Sequence, residues 1–82
     1  MPKHEGEITN AFRTFGPRLR QELEERGLKN SHFAELTGIS YDLMNCYLCG
    51  RRYPGYQNLL RMIEYLPGVD ATWLVTGQEE AL

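Results

Sequence analysis

The sequence predicts an all-α fold, a compact arrangement of five helices, and three observations carry that prediction. Apolar side chains recur at steps of three and four along most of the chain, the spacing that lines one face of a helix. Good N-cap residues open most of these stretches and a glycine closes nearly every one. Period-two alternation bounded by turns is absent, so strands are not expected. A chain of 82 residues buries roughly 60 to 65% of its unfolded surface, enough for one core and too little for a two-domain enzyme.

Residues 1–7 are polar, contain one proline and one glycine, and show no period; a flexible N-terminal arm is expected there. The domain proper is expected over 8–77. Ile8, Phe12, Phe15, Leu19 and Leu23 form the first stripe, which stops at Gly27. Gly16 and Pro17 interrupt it, which predicts a well-formed helix starting with Thr14 as cap and Pro17 in its first turn, where a missing N–H is tolerated. The second helix is expected to start at Asn30 or Ser31, turn Phe33, Ala34 and Leu36 inward, and stop at Thr37-Gly38. Ser40 caps a third that runs to Cys49, with Gly50 ending it. Past Pro54, a fourth helix carries Leu59, Leu60, Met62, Ile63 and Leu66 and ends at Pro67-Gly68. Asp70 caps a last short helix, whose buried face is Trp73 and Leu74 and whose stop is Gly77. Residues 78–82 are expected as an acidic tail.

The formal net charge is -2, an unpromising figure for a nucleic-acid partner, but it is unevenly spread. The two ends carry most of the acid, and between Gly38 and Ile63 the sum of Arg51, Arg52 and Arg61 against Asp42 is weakly basic. No stretch approaches the roughly 18 consecutive apolar residues of a membrane span, and the opening MPKHEGEITN lacks the apolar segment of a signal peptide. A cytoplasmic, nucleoid-associated location without membrane contact is expected. Cys46 and Cys49, in a chain without an export signal, are expected as reduced thiols rather than a disulfide framework.

The stretch Asn30 to Gly50 is the most informative. Two helices that cross steeply need a small residue where their backbones meet, and Ala34 provides it. The corner needs a residue that accepts positive φ, and Gly38 does so without steric cost. Ile39 is an apolar plug under the turn, while Leu43, Met44, Tyr47 and Leu48 form the inward face of the next helix. The spacing of Ala34, Gly38, Ile39 and Met44 is what a DNA-binding helix-turn-helix requires.

The run GLKNSHFAELTGISYDLMNCYLCGRRYPGYQNLLRMIEYL, followed by GVDATWLVTG, resembles the Cro/CI-like (XRE) helix-turn-helix domains of phage repressors, over about residues 14–77. The most specific parts are AELTGIS, the G-R-x-x-P after it, and the Trp73-Leu74-x-Thr76-Gly77 ending. The chain departs from the family pattern at Lys29-Asn30, where a Ser or Thr before Gln is usual, at Leu48, where Glu is usual, and by one extra residue at Leu66-Pro67-Gly68. The resemblance implies a lambda-repressor-like fold in which the helix from Ser40 enters the major groove of double-stranded DNA. It further implies a homodimer on a palindromic operator, regulating transcription as a repressor. The family's base contacts map onto Tyr41, Asp42 and Cys46, and the outward face adds Asn45. Asp42 suits a cytosine N4, Asn45 an adenine edge and Tyr41 a thymine methyl or a phosphate. Backbone contacts are expected from Asn30, Ser31, Arg51, Arg52, Tyr53, Tyr56 and Asn58.

Other chemistries have less behind them. A single C-x-x-C with only His4 and His32 as further ligands is poor support for zinc, so no metal or cofactor is expected; oxidation of the pair that weakens operator binding is the sharper alternative. No Gly-rich phosphate loop, H-E-x-x-H or catalytic triad signal is present, and an enzyme is not expected. The rival class is a protein-interaction module, an antirepressor or assembly subunit whose face no longer reads DNA; an antitoxin-type autoregulator is a further variant of the DNA-binding reading.

Overall fold

The computed structural model describes residues 3–78, with side chains from Arg13 onward. Five helices follow one another: α1 (Lys3–Glu25), α2 (Asn30–Thr37), α3 (Tyr41–Leu48), α4 (Tyr56–Glu64) and α5 (Ala71–Thr76). Among the described residues there is no strand. Helix α1 packs against α5 and α3, and α2 packs against α3 and α4.

The first helix corrects two expectations. It runs unbroken from Lys3 with Pro17 inside it, so Thr14 is an interior residue and not a cap, and the backbone of residues 3–7 is helical rather than an irregular arm. An internal proline removes one ladder hydrogen bond and costs about 3 kcal/mol. Burial on both sides of it outweighs that cost. Phe15, Leu19 and Leu23 are all in the core, each worth about 1.5–3 kcal/mol relative to an exposed side chain. The side chains of Ile8 and Phe12 lie outside the described residues, as does the acidic end from Glu79. The stop is as expected: Gly27 takes φ 68°, and the Leu28 N–H reaches back to the Leu23 carbonyl at 2.9 Å, the bonding of a Schellman turn.

Gly16 earns its place through contact. A Cβ built on it would lie 2.4 Å from the Leu48 carbonyl oxygen and 2.8 Å from that of Tyr47. Only a residue without a side chain lets α1 cross this close to the last turn of α3.

The core gathers Phe33 and Ala34 from α2, Ile39 from the turn, Met44, Tyr47 and Leu48 from α3, Met62 from α4, and Leu66 and Leu74 beyond, around the α1 stripe. Three expected positions differ. Leu36 is 37% exposed, and Thr37 takes the buried place at the end of α2, its hydroxyl donating to the Phe33 carbonyl at 2.9 Å. Leu60 is also exposed, because α4 turns a narrower stripe inward, with Leu59 and Ile63 packed only at the core's edge. Trp73 is half-buried against the core while Leu74 is fully enclosed. No described helix is long and apolar enough to cross a membrane.

Candidate nucleic-acid interface

Helices α2 and α3 are joined by the turn Gly38–Ser40. Lys29, not Asn30 or Ser31, is the N-cap of α2, and its side chain makes no capping bond. Asn30 is therefore already the first helical residue, half-buried, with Ser31 exposed beside it in the same turn. At the other end Gly38 adopts φ 72°, which most side chains resist, and the Ile39 N–H returns to the Ala34 carbonyl at 3.2 Å. That bond turns the chain sharply and drops Ile39 into the core.

Ser40 caps α3 as its residue type predicts, its hydroxyl accepting from the Leu43 N–H at 3.1 Å. The helix ends one residue early, at Leu48, with Cys49 as C-cap and Gly50 in the left-handed conformation at φ 79°. The closing turn is unusual in what it holds. Both Arg51 and Arg52 direct their backbone N–H groups at the Cys46 carbonyl, at 2.9 and 3.3 Å, so the position of the arginine pair is tied to the last turn of α3.

The inward and outward faces of α3 separate cleanly. Met44, Tyr47 and Leu48 are buried. Tyr41 is 53% exposed and Asp42 is exposed in the first turn, where the positive end of the helix dipole favours a carboxylate. Asn45 and Cys46 are half-buried. Asp42, Asn45, Cys46, Cys49 and Arg51 line one open cavity of about 330 Å³. Four of the residues singled out from the sequence therefore share a site. It offers a carboxylate acceptor, an amide that both donates and accepts, and a guanidinium donor on one helix face.

The remaining candidates are distributed differently. Arg52 is exposed beside Arg51. Tyr53 is exposed but also lines a small apolar pocket of about 50 Å³ with Phe15, Pro54, Leu59 and Val75, away from the α3 cavity. Tyr56, the first residue of α4, is 78% exposed. Asn58 has an internal partner: its side-chain amide donates to the Tyr47 hydroxyl at 2.8 Å, which joins α4 to α3 and supplies the partner a buried tyrosine needs.

One residue with a clear role escaped the sequence reading. Arg18 of α1 is only 8% exposed. Its Nε donates to the Leu74 carbonyl at 2.9 Å and one terminal nitrogen to the Val75 carbonyl at 3.2 Å, while the other bonds the Thr14 hydroxyl. A cation on the last carbonyls of α5 suits the negative end of that helix. Burial pushes the guanidinium pKa down from the ordinary arginine value through desolvation. The only sequence signal is an arginine next to Leu19 in an apolar stripe, which reads equally well as a solvated position. Comparison of the chain with family models, with curated proteins and with solved structures gives no match.

Proposed function

We propose that the chain is a sequence-specific DNA-binding regulator of transcription, a repressor of the helix-turn-helix type that binds a palindromic operator as a homodimer. The observation that carries this reading is the outward face of α3, where Asp42, Asn45, Cys46 and Arg51 meet around one cavity beside the exposed Tyr41 and Arg52. A helix presenting such groups matches the major groove in width and in hydrogen-bonding capacity. Support also comes from the Ala34, Gly38 and Ile39 corner and from the resemblance of AELTGIS to the family's motif. In this reading α2 lies across the phosphate backbone, with Asn30 and Ser31 in its first turn, and Arg51, Arg52, Tyr53 and Tyr56 contact flanking phosphates. Asn58 acts through Tyr47 instead.

A dimer is physically economical because one short helix reads few base pairs, whereas two half-sites one helical turn apart roughly add their free energies. Repression follows if the occupied operator overlaps a promoter.

The test is selection of bound sites from a random duplex library at low salt, with an Arg51→Ala/Arg52→Ala variant beside the parent chain. An enriched palindrome that the variant loses is the expected result. No enrichment by the folded chain overturns the reading in favour of a protein-interaction module.

A further inference from the structure

The C-x-x-C pair plays no defined part in the reading above, yet both thiols are free, Cys46 half-buried and Cys49 exposed, and both line the α3 cavity. Among the described residues no three His, Cys, Asp or Glu side chains gather into a metal-binding group, which disfavours a four-coordinate ion such as zinc. Two thiolates are a complete ligand set for a different class. Soft d¹⁰ cations such as Cu(I) prefer sulfur and are satisfied by two ligands on opposite sides.

We propose that Cys46 and Cys49 form a two-coordinate chelate for a soft monovalent cation of the Cu(I) type, on the outward face of α3.

The backbone distinguishes this from a disulfide. Cys49 is a C-cap that keeps right-handed helical angles, φ -85° and ψ -6°, so the pair retains the i, i+3 spacing of a helix, with Cβ atoms about 5–6 Å apart. A disulfide needs about 3.5–4.5 Å. Closing that gap requires the last turn of α3 to tighten, and that turn is fixed by the Arg51 and Arg52 N–H bonds to the Cys46 carbonyl. A bridging ion relieves the demand. Taking the zinc value of about 2.3 Å for a metal–thiolate bond, sulfurs on opposite sides of an ion stand about 4.6 Å apart, a span the pair reaches without moving its backbone.

The chemistry involves no change of oxidation state. Each S–H bond breaks, both protons pass to the buffer, and each sulfur donates an electron pair to the ion. Two neutral thiols and one cation become a complex of net charge -1. Arg51 and Asp42 are the charged groups lining the same cavity, and the Arg51 guanidinium offsets the new charge while Asp42 adds to it. If the face reads DNA, loading it therefore opposes phosphate approach. That consequence rests on the proposed function, whereas the site itself does not.

The experiment is anaerobic titration of the reduced full chain with Cu(I) against the chromophoric chelator bicinchoninate, without DNA, beside Cys46→Ser and Cys49→Ser. Circular dichroism checks that all three are folded. The expected result is one Cu(I) per chain, bound at least about 100-fold more tightly than by either single-thiol variant, the gain of an intramolecular second ligand. Release of two protons makes the affinity rise about 100-fold per pH unit below the thiol range, and only about tenfold in the variants. Equal affinity in parent and variants, or half an ion per chain from bridging between copies, overturns the proposal. Because no DNA is present, a failed operator selection and a failed titration are read separately.

Discussion

Arg18 and Arg51 are the same residue type in opposite situations. Arg18 lies in the seam between α1 and α5, nearly enclosed, with its guanidinium engaged by the last carbonyls of α5. Arg51 is exposed at the rim of the α3 cavity, and only its backbone is committed, to Cys46. In the first region the side chain's donors are satisfied internally, which makes it part of the scaffold. In the second the scaffold fixes the backbone and leaves the side chain for a partner. A charged residue is therefore assigned to stability or recognition by what its donors already hold, and residue type alone does not decide it.

The seam-side substitutions should act on stability, and the largest effect belongs to Gly16. Gly16→Val should lower the free energy of unfolding by about 3 kcal/mol, read as a fall in urea midpoint, because the facing atoms are the Leu48 and Tyr47 carbonyls and backbone cannot step aside. Helix propensity alone would favour replacing this glycine, so a stabilised variant would break the account of the α1–α3 crossing. Arg18→Met keeps the aliphatic stem and deletes the bonds to the Leu74 and Val75 carbonyls; a loss of about 2 kcal/mol is expected, with earlier hydrogen exchange in α5 as the local sign.

A smaller effect separates Asn58 from the arginine pair. Asn58→Ala removes the donor to the Tyr47 hydroxyl and should cost about 1 kcal/mol while leaving the salt dependence of duplex binding unchanged. A lowered salt slope would instead put Asn58 on a phosphate. Least affected in stability is Arg51→Ala/Arg52→Ala, expected within about 0.5 kcal/mol of the parent chain in urea unfolding. Its signature is in binding, where the slope of log affinity against log salt should become shallower by about 1.8, at about 0.9 for each lost phosphate contact. A large loss of stability there would erase the contrast with Arg18.

Much of the fold was legible because local chemistry decides it. Ser40, Asp70, Gly27, Gly38, Gly50, Gly68 and Gly77 all stand where the sequence places caps, corners and stops, since a capping hydroxyl or carboxylate and a tolerance for positive φ are properties of single residues. The inward set of α3 was legible for a related reason, as helical period alone sorts Met44, Tyr47 and Leu48 from Tyr41 and Asp42. The convergence of Asp42, Asn45 and Cys46 on one face follows from the same spacing, and Arg51 joins them through the turn at Gly50.

Other features depended on groups distant in sequence. The uninterrupted α1 defied its proline because core contacts around Phe15 and Leu19 outweigh a local cost. Leu36 and Leu60 stayed exposed because the width of a helix's buried stripe is set by the neighbours that cover it. Arg18 on α5 and Asn58 on Tyr47 bridge residues 56 and 11 positions apart, and no window along α1 or α4 contains both partners. The sequence by itself determined where helices begin, stop and turn, and which side of α3 is polar, because those choices are made within a few residues by backbone sterics and hydrogen bonding. Tertiary structure alone decided which polar side chains are spent inside the molecule and which remain for a ligand, because a donor is committed only when packing brings an acceptor within bonding distance.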